Sequence, residues 1–223
     1  MKKTRAYVFV PKSIYKHFFN RCYNLLVPLL KELKKLGINS QLYPIGSGKR
    51  HLVTQLIIEG KEQPFDLDFN LEIDVNTSPK KYRNLKKLKD TIRNTLNSII
   101  HNENSNDFFS DAQDSTSVIS VPLHFKDSED IQFSFDLAIV SRNSYGNLQR
   151  LIHNKKDELF TWSPAKKSKG FESRAEKLKT AELWNQVRNR YLQFKNQFIN
   201  DSAHPSFICY IMAVNEVYSK FFE

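Results

Sequence analysis

The segment formed by residues 65–75 alternates strictly between apolar and polar side chains. Its polar positions are Asp66, Asp68, Asn70, Glu72 and Asp74. Alternation with a period of two predicts a β-strand that has one face in a core. Four of the five polar side chains are carboxylates, which repel one another unless a positive charge lies among them. A divalent metal ion fits this requirement, because hard cations prefer carboxylate oxygens as ligands.

A second segment, residues 131–140, has a similar alternation and places Asp136 on its polar face. If the two segments are neighbouring strands of one sheet, the carboxylates of Asp66, Asp68 and Asp136 converge. The sequence therefore predicts a metal site built from two strands that are far apart in the chain.

A calcium-binding EF-hand loop is an alternative interpretation of the acidic segment. That loop requires glycine at its sixth position and glutamate at its twelfth, where this chain has Leu71 and Thr77. An EF-hand loop also lies between helices, whereas this segment alternates like a strand, so we reject the alternative. Glu72 and Asp74 lie beyond the predicted metal position. We expect them to be solvated or paired with the basic segment that follows.

A glycine-rich turn precedes the acidic strand. Gly46 and Ser47 follow a predicted strand over residues 39–45, and Lys49 and Arg50 come directly afterwards. Backbone N–H groups in such a turn can bind phosphate, and the two basic side chains place positive charge nearby. The turn is not a Walker phosphate loop, because position 43 is not glycine and position 50 is neither serine nor threonine.

A glycine-serine turn, then Asp66 and Asp68 on one strand, then Asp136 on a later strand, resembles the DNA polymerase beta-like nucleotidyltransferase superfamily. Within it, the turn and the acidic strand are most similar to the branch that contains oligoadenylate synthase and cyclic GMP–AMP synthase. The resemblance covers roughly residues 42–140. It implies an α+β fold with a mixed or antiparallel sheet as the nucleotidyltransferase core, flanking helices and a small helical C-terminal lobe. We expect the core to comprise residues 1–145 and the lobe residues 146–223.

The resemblance also implies an activity. A nucleoside monophosphate passes from a nucleoside triphosphate to a hydroxyl acceptor, and pyrophosphate is released. The acceptor could be another nucleotide, giving an oligonucleotide or cyclic product, or RNA, a protein or a small molecule. Asp66, Asp68 and Asp136 would be the catalytic residues and would hold two Mg²⁺ (or Mn²⁺) ions. The implied nucleotide-binding residues are Gly46, Ser47, Lys49 and Arg50. In such folds the second lobe helps to hold the nucleotide, and Arg188, Arg190 and Lys195 are the candidates for this contact, with Lys195 taken as the predicted one.

Composition adds broad limits. The chain has 223 residues and a net charge of +10, which favours polyanionic partners but also occurs in lysine-rich proteins that bind no nucleic acid. Its two cysteines form neither a disulfide framework nor a zinc motif. Because the sequence contains no signal peptide and no long apolar run, we expect a cytoplasmic protein without a membrane partner.

Hydrophobic periodicity predicts the remaining elements. We expect a helix over residues 12–36, capped by Ser13, kinked or split at Pro28 and ended by Gly37. Further predicted helices are 79–100, 171–198 and 206–222. Predicted hairpins join 51–59 to the acidic strand and 118–125 to 131–140, around a turn at 126–130. Residues 101–117 are expected to form a loop, and residues 141–170 a connection with short helical pieces.

The helix predicted after the acidic strand has a basic face. Its basic residues are Lys80, Lys81, Arg83, Lys86, Lys87, Lys89 and Arg93. Such a face is either simply solvated or attracts an acidic substrate. The alternative function is therefore a non-catalytic nucleic-acid-binding module that retains the nucleotidyltransferase fold. The presence of all the expected carboxylates favours an enzyme.

Overall fold

The computed structural model describes residues 4–102, 109–125, 128–165 and 171–223 of the chain. The strands are β1 Arg5–Phe9, β2 Ser40–Pro44, β3 Thr54–Ile58, β4 Lys61–Glu62, β5 Phe65–Ile73, β6 Gln113–Asp114, β7 Ile119–His124, β8 Ile131–Arg142, β9 Leu148–Asn154 and β10 Leu159–Pro164. The helices are α1 Lys12–Lys35, α2 Gly46–Arg50, α3 Leu85–Asn102, α4 Phe171–Thr180, α5 Trp184–Gln197 and α6 Ser206–Phe222. These elements confirm the predicted α+β class.

The described residues form two compact units. The sheet unit comprises the described residues of 11–50 and 64–165, and the helical unit those of 1–10, 51–63 and 166–223. The predicted boundary at residue 145 placed the residues of β9 and β10 in the helical lobe. In the structure these two strands extend the sheet that β5 and β8 form. As a statement about domains, the division into 1–145 and 146–223 stays a prediction.

The sheet unit is built around a mixed sheet in which the strand order is β10-β9-β8-β5-β2. β5 pairs with β8 in parallel and with β2 antiparallel. On the edge opposite β5, the long strand β8 has two partners. Its first part pairs with β7 and its last part with β9. The predicted adjacency of the acidic strand and the Asp136 strand is therefore observed, as is the predicted hairpin of β7 and β8. Residues 126 and 127 of its turn lie outside the described residues.

The apolar face of β5 and β8 is the core of this unit. Phe69, Phe133 and Phe135 are completely buried. Helix α1 contributes Phe18, whose ring stacks on Phe133 at 4.7 Å and meets Phe65 edge-on at 5.3 Å. Burying each such side chain contributes about 1.5–3 kcal/mol relative to exposure. This layer fixes the two strands in register and leaves their polar face free for another role.

Helix α1 is a single helix, although Pro28 lies within it. The predicted split at Pro28 is therefore wrong, as is the predicted cap, since Pro11 precedes the helix and no side chain caps it. Gly37 ends the helix as expected, in a left-handed conformation with φ +78°. Its N–H donates to Lys34 O at 3.0 Å, a common termination by glycine.

The helical unit packs α4, α5 and α6 around an apolar cluster. A small sheet with the order β1-β3-β4 belongs to the same unit, and β1 packs against α5. Members of the cluster include Phe171, Leu178, Val187, Tyr191 and Val214. The predicted helix at residues 206–222 is confirmed. The predicted helix at 171–198 is divided into α4 and α5, with Glu182 left-handed between them at φ +58°.

The hairpin predicted between residues 51–59 and the acidic strand is wrong. β3 pairs instead with β1 and β4. Glu59 and Gly60 both have positive φ, which is the requirement for a tight two-residue hairpin turn, so the chain reverses before it reaches β5. The turn lies at Glu59 and Gly60, and it pairs Ile58 with Lys61 of β4 rather than with the acidic strand.

The expectation of a connection with short helical pieces at 141–170 is also wrong for the described part. β9 and β10 form an antiparallel hairpin there, and residues 166–170 lie outside the described residues. The loop predicted at 101–117 contains the short strand β6, and residues 103–108 are not described. The helix predicted from residue 79 begins later, because a 3₁₀ turn at Lys80–Arg83 precedes α3.

Candidate active site

The carboxylates lie on the polar face of the two parallel strands. In the register of β5 and β8, Asp68 is directly opposite Asp136, and Asp66 is opposite Ser134. The neighbouring apolar residues Phe65 and Leu67 are buried in the core, so alternation forces the acidic side chains onto the other face. The pairing of β5 with β8 therefore brings the three carboxylates to one face of the sheet, as predicted from the sequence.

Asp66, Asp68 and Asp136 form the acidic triad. One carboxylate oxygen from each lies within 4.8 Å of the others. Asp66 is exposed, whereas Asp68 and Asp136 are half-buried. Burial, reinforced by the charges of Asp66 and Asp136, raises the pKa of Asp68 from 3.8 to about 6, although Arg150 and Arg50 oppose the shift. The triad thus brings three carboxylates together where the charged form of Asp68 is disfavoured.

The donor set of the triad fits a hard divalent cation. Mg²⁺ and Mn²⁺ bind carboxylate oxygens, and oxygens that share one such ion lie roughly 3–4 Å apart. One oxygen from each carboxylate of the triad lies within 4.8 Å of the others. A bound cation would also remove the repulsion that raises the pKa of Asp68. The triad is therefore suited to hold the metal predicted from the sequence.

The glycine-serine turn packs directly against the triad. Ile45 N donates to Asp68 O at 2.9 Å, which ties the turn to β5. Gly46 has φ +61°, and a Cβ at this position would collide with the Asp68 carboxylate at Oδ2. Only glycine meets both conditions at residue 46. The chain then forms the short helix α2 rather than the plain turn expected.

The other predicted phosphate-binding residues of the sheet unit lie on α2. Ser47 is partly exposed and Lys49 is fully exposed, while Gly48 is buried. Arg50, also on α2, lies near enough to Asp68 to lower its pKa. The structure thus brings Gly46 and Arg50 to the triad. The phosphate contacts themselves stay a prediction.

Lys195 belongs to the helical unit and is buried there. Its Nζ donates to Ser206 Oγ at 2.8 Å and lies 3.7 Å from the centre of the Tyr7 ring. Only 9% of the residue is exposed. These contacts give Lys195 a structural role within its own unit, and its predicted contact with a nucleotide is untested.

The sequence analysis missed Arg150. This residue lies on β9 opposite Val140 of β8, and its charge lowers the pKa of Asp68. Because alternate residues of neighbouring strands share a face, Arg150 faces the same side of the sheet as Asp136. The sequence pattern does not indicate that β9 is a strand, because one face of β9 carries both charged and apolar residues.

Glu72 and Asp74 do not pair with the basic helix. Glu72 forms an ion pair with Arg142 at 2.7 Å and accepts a hydrogen bond from Tyr43 Oη at 2.9 Å. Asp74 accepts a hydrogen bond from the backbone N–H of Asn76 at 3.0 Å, within the turn after β5. Glu72 is therefore paired within the sheet unit, and Asp74 is exposed to solvent, which is one of the two alternatives expected for it.

The basic face near α3 is largely exposed. Lys80, Lys81, Arg83, Lys86 and Lys87 are exposed to solvent. Lys89 is the exception, because it is buried beside Asp114.

Among the described residues, no helix has the length and apolar character needed to cross a membrane.

Comparison with solved structures identifies the fold. The chain is similar to CdnC from E. coli MS115-1 with ATP, with 15% identity and a TM-score of 0.54, over 97% of this chain and 63% of CdnC. A structure of the CdnC:HORMA-deltaN complex gives 13% identity and a TM-score of 0.53, over 97% of this chain and 62% of that chain. No protein-family model matches the chain, and neither does any curated protein.

A third similar structure is the cyclic AMP-GMP synthase DncV of Vibrio cholerae in complex with the linear intermediate 5′ pppA(3′,5′)pG. The identity is 10% and the TM-score 0.56, over 84% of this chain and 49% of DncV. The chain thus spans between half and two thirds of these proteins. The predicted resemblance is confirmed at the level of architecture: the chain has the α+β nucleotidyltransferase fold seen in CdnC and DncV.

Proposed function

We propose that the protein is a metal-dependent nucleotidyltransferase. It moves a nucleoside monophosphate from a nucleoside triphosphate to a hydroxyl acceptor and releases pyrophosphate. The observation that carries this proposal is the convergence of Asp66, Asp68 and Asp136 within 4.8 Å beside Gly46. The fold shared with CdnC and DncV supports it, because DncV is a cyclic AMP-GMP synthase.

Asp66 and Asp68 would hold two Mg²⁺ or Mn²⁺ ions, and Asp136 would bind the one nearer the attacking hydroxyl. When bound, such ions neutralise charge on the attacking and leaving oxygens of an in-line displacement. The protein itself does little covalent work in phosphoryl transfer, and its contribution is to position groups. The rigid pairing of β5 with β8 supplies that positioning.

The bonds change at the α-phosphorus of the triphosphate. The acceptor oxygen forms a new bond to this phosphorus, and the bond to the oxygen bridging the α- and β-phosphates breaks. Pyrophosphate leaves with that electron pair. The hydroxyl proton would pass to a carboxylate oxygen of Asp136 or to water.

The remaining site residues would bind the triphosphate. The backbone N–H groups of Gly46 and Ser47 would face the β- and γ-phosphates, and Lys49 and Arg50 would add positive charge. The position of Gly46 and Arg50 near Asp68 supports this assignment. Lys195 is proposed as a further phosphate contact, for which it must leave its hydrogen bond to Ser206.

Mass spectrometry of reaction products tests the proposal. The protein is incubated with Mg²⁺ and all four ribonucleoside triphosphates, with and without cellular RNA. We expect pyrophosphate and a nucleotidylated product from the wild type, and a loss of about 10³-fold in Asp68→Asn and Asp136→Asn. Asp130→Asn is the matched control. This exposed carboxylate directly precedes β8 but lies outside the triad. Unchanged turnover in either triad variant would refute the assignment.

A nucleic-acid-binding module without activity is the second candidate. The exposed lysines and arginine at the start of α3 favour it. Binding of RNA or DNA through these side chains would weaken steeply with salt, because each phosphate contact releases counterions. Steep salt dependence together with no turnover of any triphosphate would favour the module over the enzyme.

A further inference from the structure

A cleft of about 620 Å³ lies in the sheet unit at the end of β5, on the far side of Glu72 from the acidic triad. Glu72 is four residues beyond Asp68, which places the cleft roughly 13 Å or more along the strand from the triad. Its walls come from α1, β2, β5 and the turn after β8. A volume of this size accommodates a small molecule. The cleft is thus separate from the proposed nucleotidyl-transfer site.

The acidic residues of the cleft already have partners. Glu72 is held by Arg142 at 2.7 Å and by the Tyr43 hydroxyl at 2.9 Å. The Asp74 carboxylate accepts a hydrogen bond from the Asn76 N–H at 3.0 Å. The ion pair with Arg142 offsets the charge of Glu72, whereas Asp74 keeps its negative charge at an exposed position. The charged side chains that line the cleft still sum to +1.

The lysines of the cleft have no such partners. Lys31 and Lys34 lie three residues apart on α1 and both line the cleft. In the part of the chain that the structure describes, neither forms an ion pair, whereas the adjacent Lys35 pairs with Glu32 at 2.7 Å. Ser40 Oγ, in the wall of the cleft, likewise has no hydrogen-bond partner among the described residues. The cleft therefore offers two ammonium groups and an unsatisfied hydroxyl.

Arg142 adds a third cation at the rim. Its side chain is 57% exposed although it contacts Glu72. A guanidinium in this position can bind an incoming anion with its outward N–H groups, because its fork geometry matches phosphate. Such an anion would compete with Glu72 for Arg142.

We propose that this cleft binds a small molecule carrying a phosphate monoester. The phosphate lies between Lys31 and Lys34, and Arg142 contacts it from the rim. The uncharged body of the ligand occupies the rest of the cleft beside Ser40. A concave site with clustered cations suits a compact ligand better than an extended polyanion, which would need a continuous basic track.

Calorimetric titration without metal tests this site separately from the proposed activity. EDTA removes metal-dependent binding at the acidic triad, and the variants of Lys31 and Lys34 described below separate the cleft from the glycine-serine turn. The probes are adenosine 5′-monophosphate, inorganic phosphate and adenosine. We expect saturable binding of both phosphate-bearing probes and none of adenosine. Failure of both to bind would overturn the proposal while leaving the nucleotidyltransferase assignment intact.

Paired variants locate the binding. Lys31→Ala/Lys34→Ala should weaken binding of adenosine monophosphate about tenfold or more. Lys12→Ala/Lys16→Ala is the matched control, because it removes the same charge from exposed positions at the other end of α1. Equal losses in both double variants would show that only general surface charge attracts the probe, and would refute the site.

A third variant tests the part played by Arg142. Glu72→Gln removes the charge that pairs with the Arg142 guanidinium. The affinity for adenosine monophosphate should therefore rise severalfold. An unchanged or reduced affinity in Glu72→Gln would contradict the contact between Arg142 and the phosphate. Circular dichroism of each variant confirms that the fold is retained.

Discussion

The sheet unit contains two clusters of charged side chains, and they are built in opposite ways. The acidic triad brings three carboxylates together on the polar face of β5 and β8. The buried ion cluster, formed by Lys89, Asp114 and His153, surrounds one carboxylate with two partners. Like charges are adjacent in the first cluster and opposite charges in the second.

In the buried ion cluster, each oxygen of the Asp114 carboxylate lies beside a basic side chain. Asp114 accepts from Lys89 Nζ at 2.5 Å and from the His153 ring at Nδ1 at 2.6 Å. Lys89 also donates to Ser115 O at 2.6 Å, and the His153 ring stacks on Phe160 at 4.0 Å. Burial alone would raise the pKa of Asp114, but the hydrogen bonds from Lys89 and His153 lower it below its ordinary value.

The difference indicates which cluster serves structure and which serves function. Asp114 has a lowered pKa because the fold supplies its counter-charges. Asp68 has a raised pKa because burial and neighbouring carboxylates disfavour its charged form. The acidic triad therefore costs the protein folding stability, which is expected where an external cation completes a site.

The largest expected effect comes from breaking the buried ion cluster. Asp114→Asn should destabilise the protein by about 3 kcal/mol, because it leaves the buried Lys89 ammonium without a counter-charge. Urea denaturation at neutral pH measures the change. Asp90→Asn is the control, since it disrupts a surface pair with Arg93 at 3.2 Å and should cost less than about 0.5 kcal/mol. Equal effects of the two substitutions would show that burial of the cluster contributes nothing.

A smaller effect of opposite sign is expected at the triad. Without metal, Asp68→Asn should stabilise the protein at pH 7 by about 2 kcal/mol, because it removes a charge that burial and its neighbours disfavour. The folded pKa of about 6 exceeds the unfolded value of 3.8, so the folded state binds the proton more tightly. The wild type therefore loses stability as pH rises through this range.

Denaturation in EDTA across that pH range checks the sign. The difference between Asp68→Asn and wild type should be small near pH 4, where the folded carboxyl is protonated, and should grow up to about pH 6–7. Asp130→Asn, which changes an exposed carboxylate, should show no such pH dependence. A destabilised Asp68→Asn protein at neutral pH would contradict the account of the triad.

Local alternation made much of the triad predictable from sequence. The period of two in residues 65–75 and 131–140 assigned the polar faces, and the predicted adjacency of the two strands brought the carboxylates together. The parallel direction of their pairing was not predicted and is seen in the structure. Gly46 could also be identified, as part of a glycine-serine turn typical of phosphate binding, although its close approach to Asp68 was not predicted. The roles of these residues in catalysis remain predictions.

Other features depend on pairings that sequence patterns do not encode. β3 was assigned to the wrong partner because its true neighbour β1 is a short strand, Arg5–Phe9, with both faces partly exposed. β9 was missed because Arg150 and His153 interrupt its apolar pattern. The buried ion cluster joins residues 39 apart in sequence at Asp114 and His153, and no motif links them.

The most direct test of the central claim is to locate metal at the triad. Crystals grown with Mn²⁺ and a non-hydrolysable nucleoside triphosphate analogue are measured at the manganese absorption edge. The account predicts anomalous peaks bound by carboxylate oxygens of Asp66, Asp68 and Asp136, and their loss in Asp68→Asn. Mn²⁺ found elsewhere in the protein, or absent from the triad with the analogue bound, would contradict it.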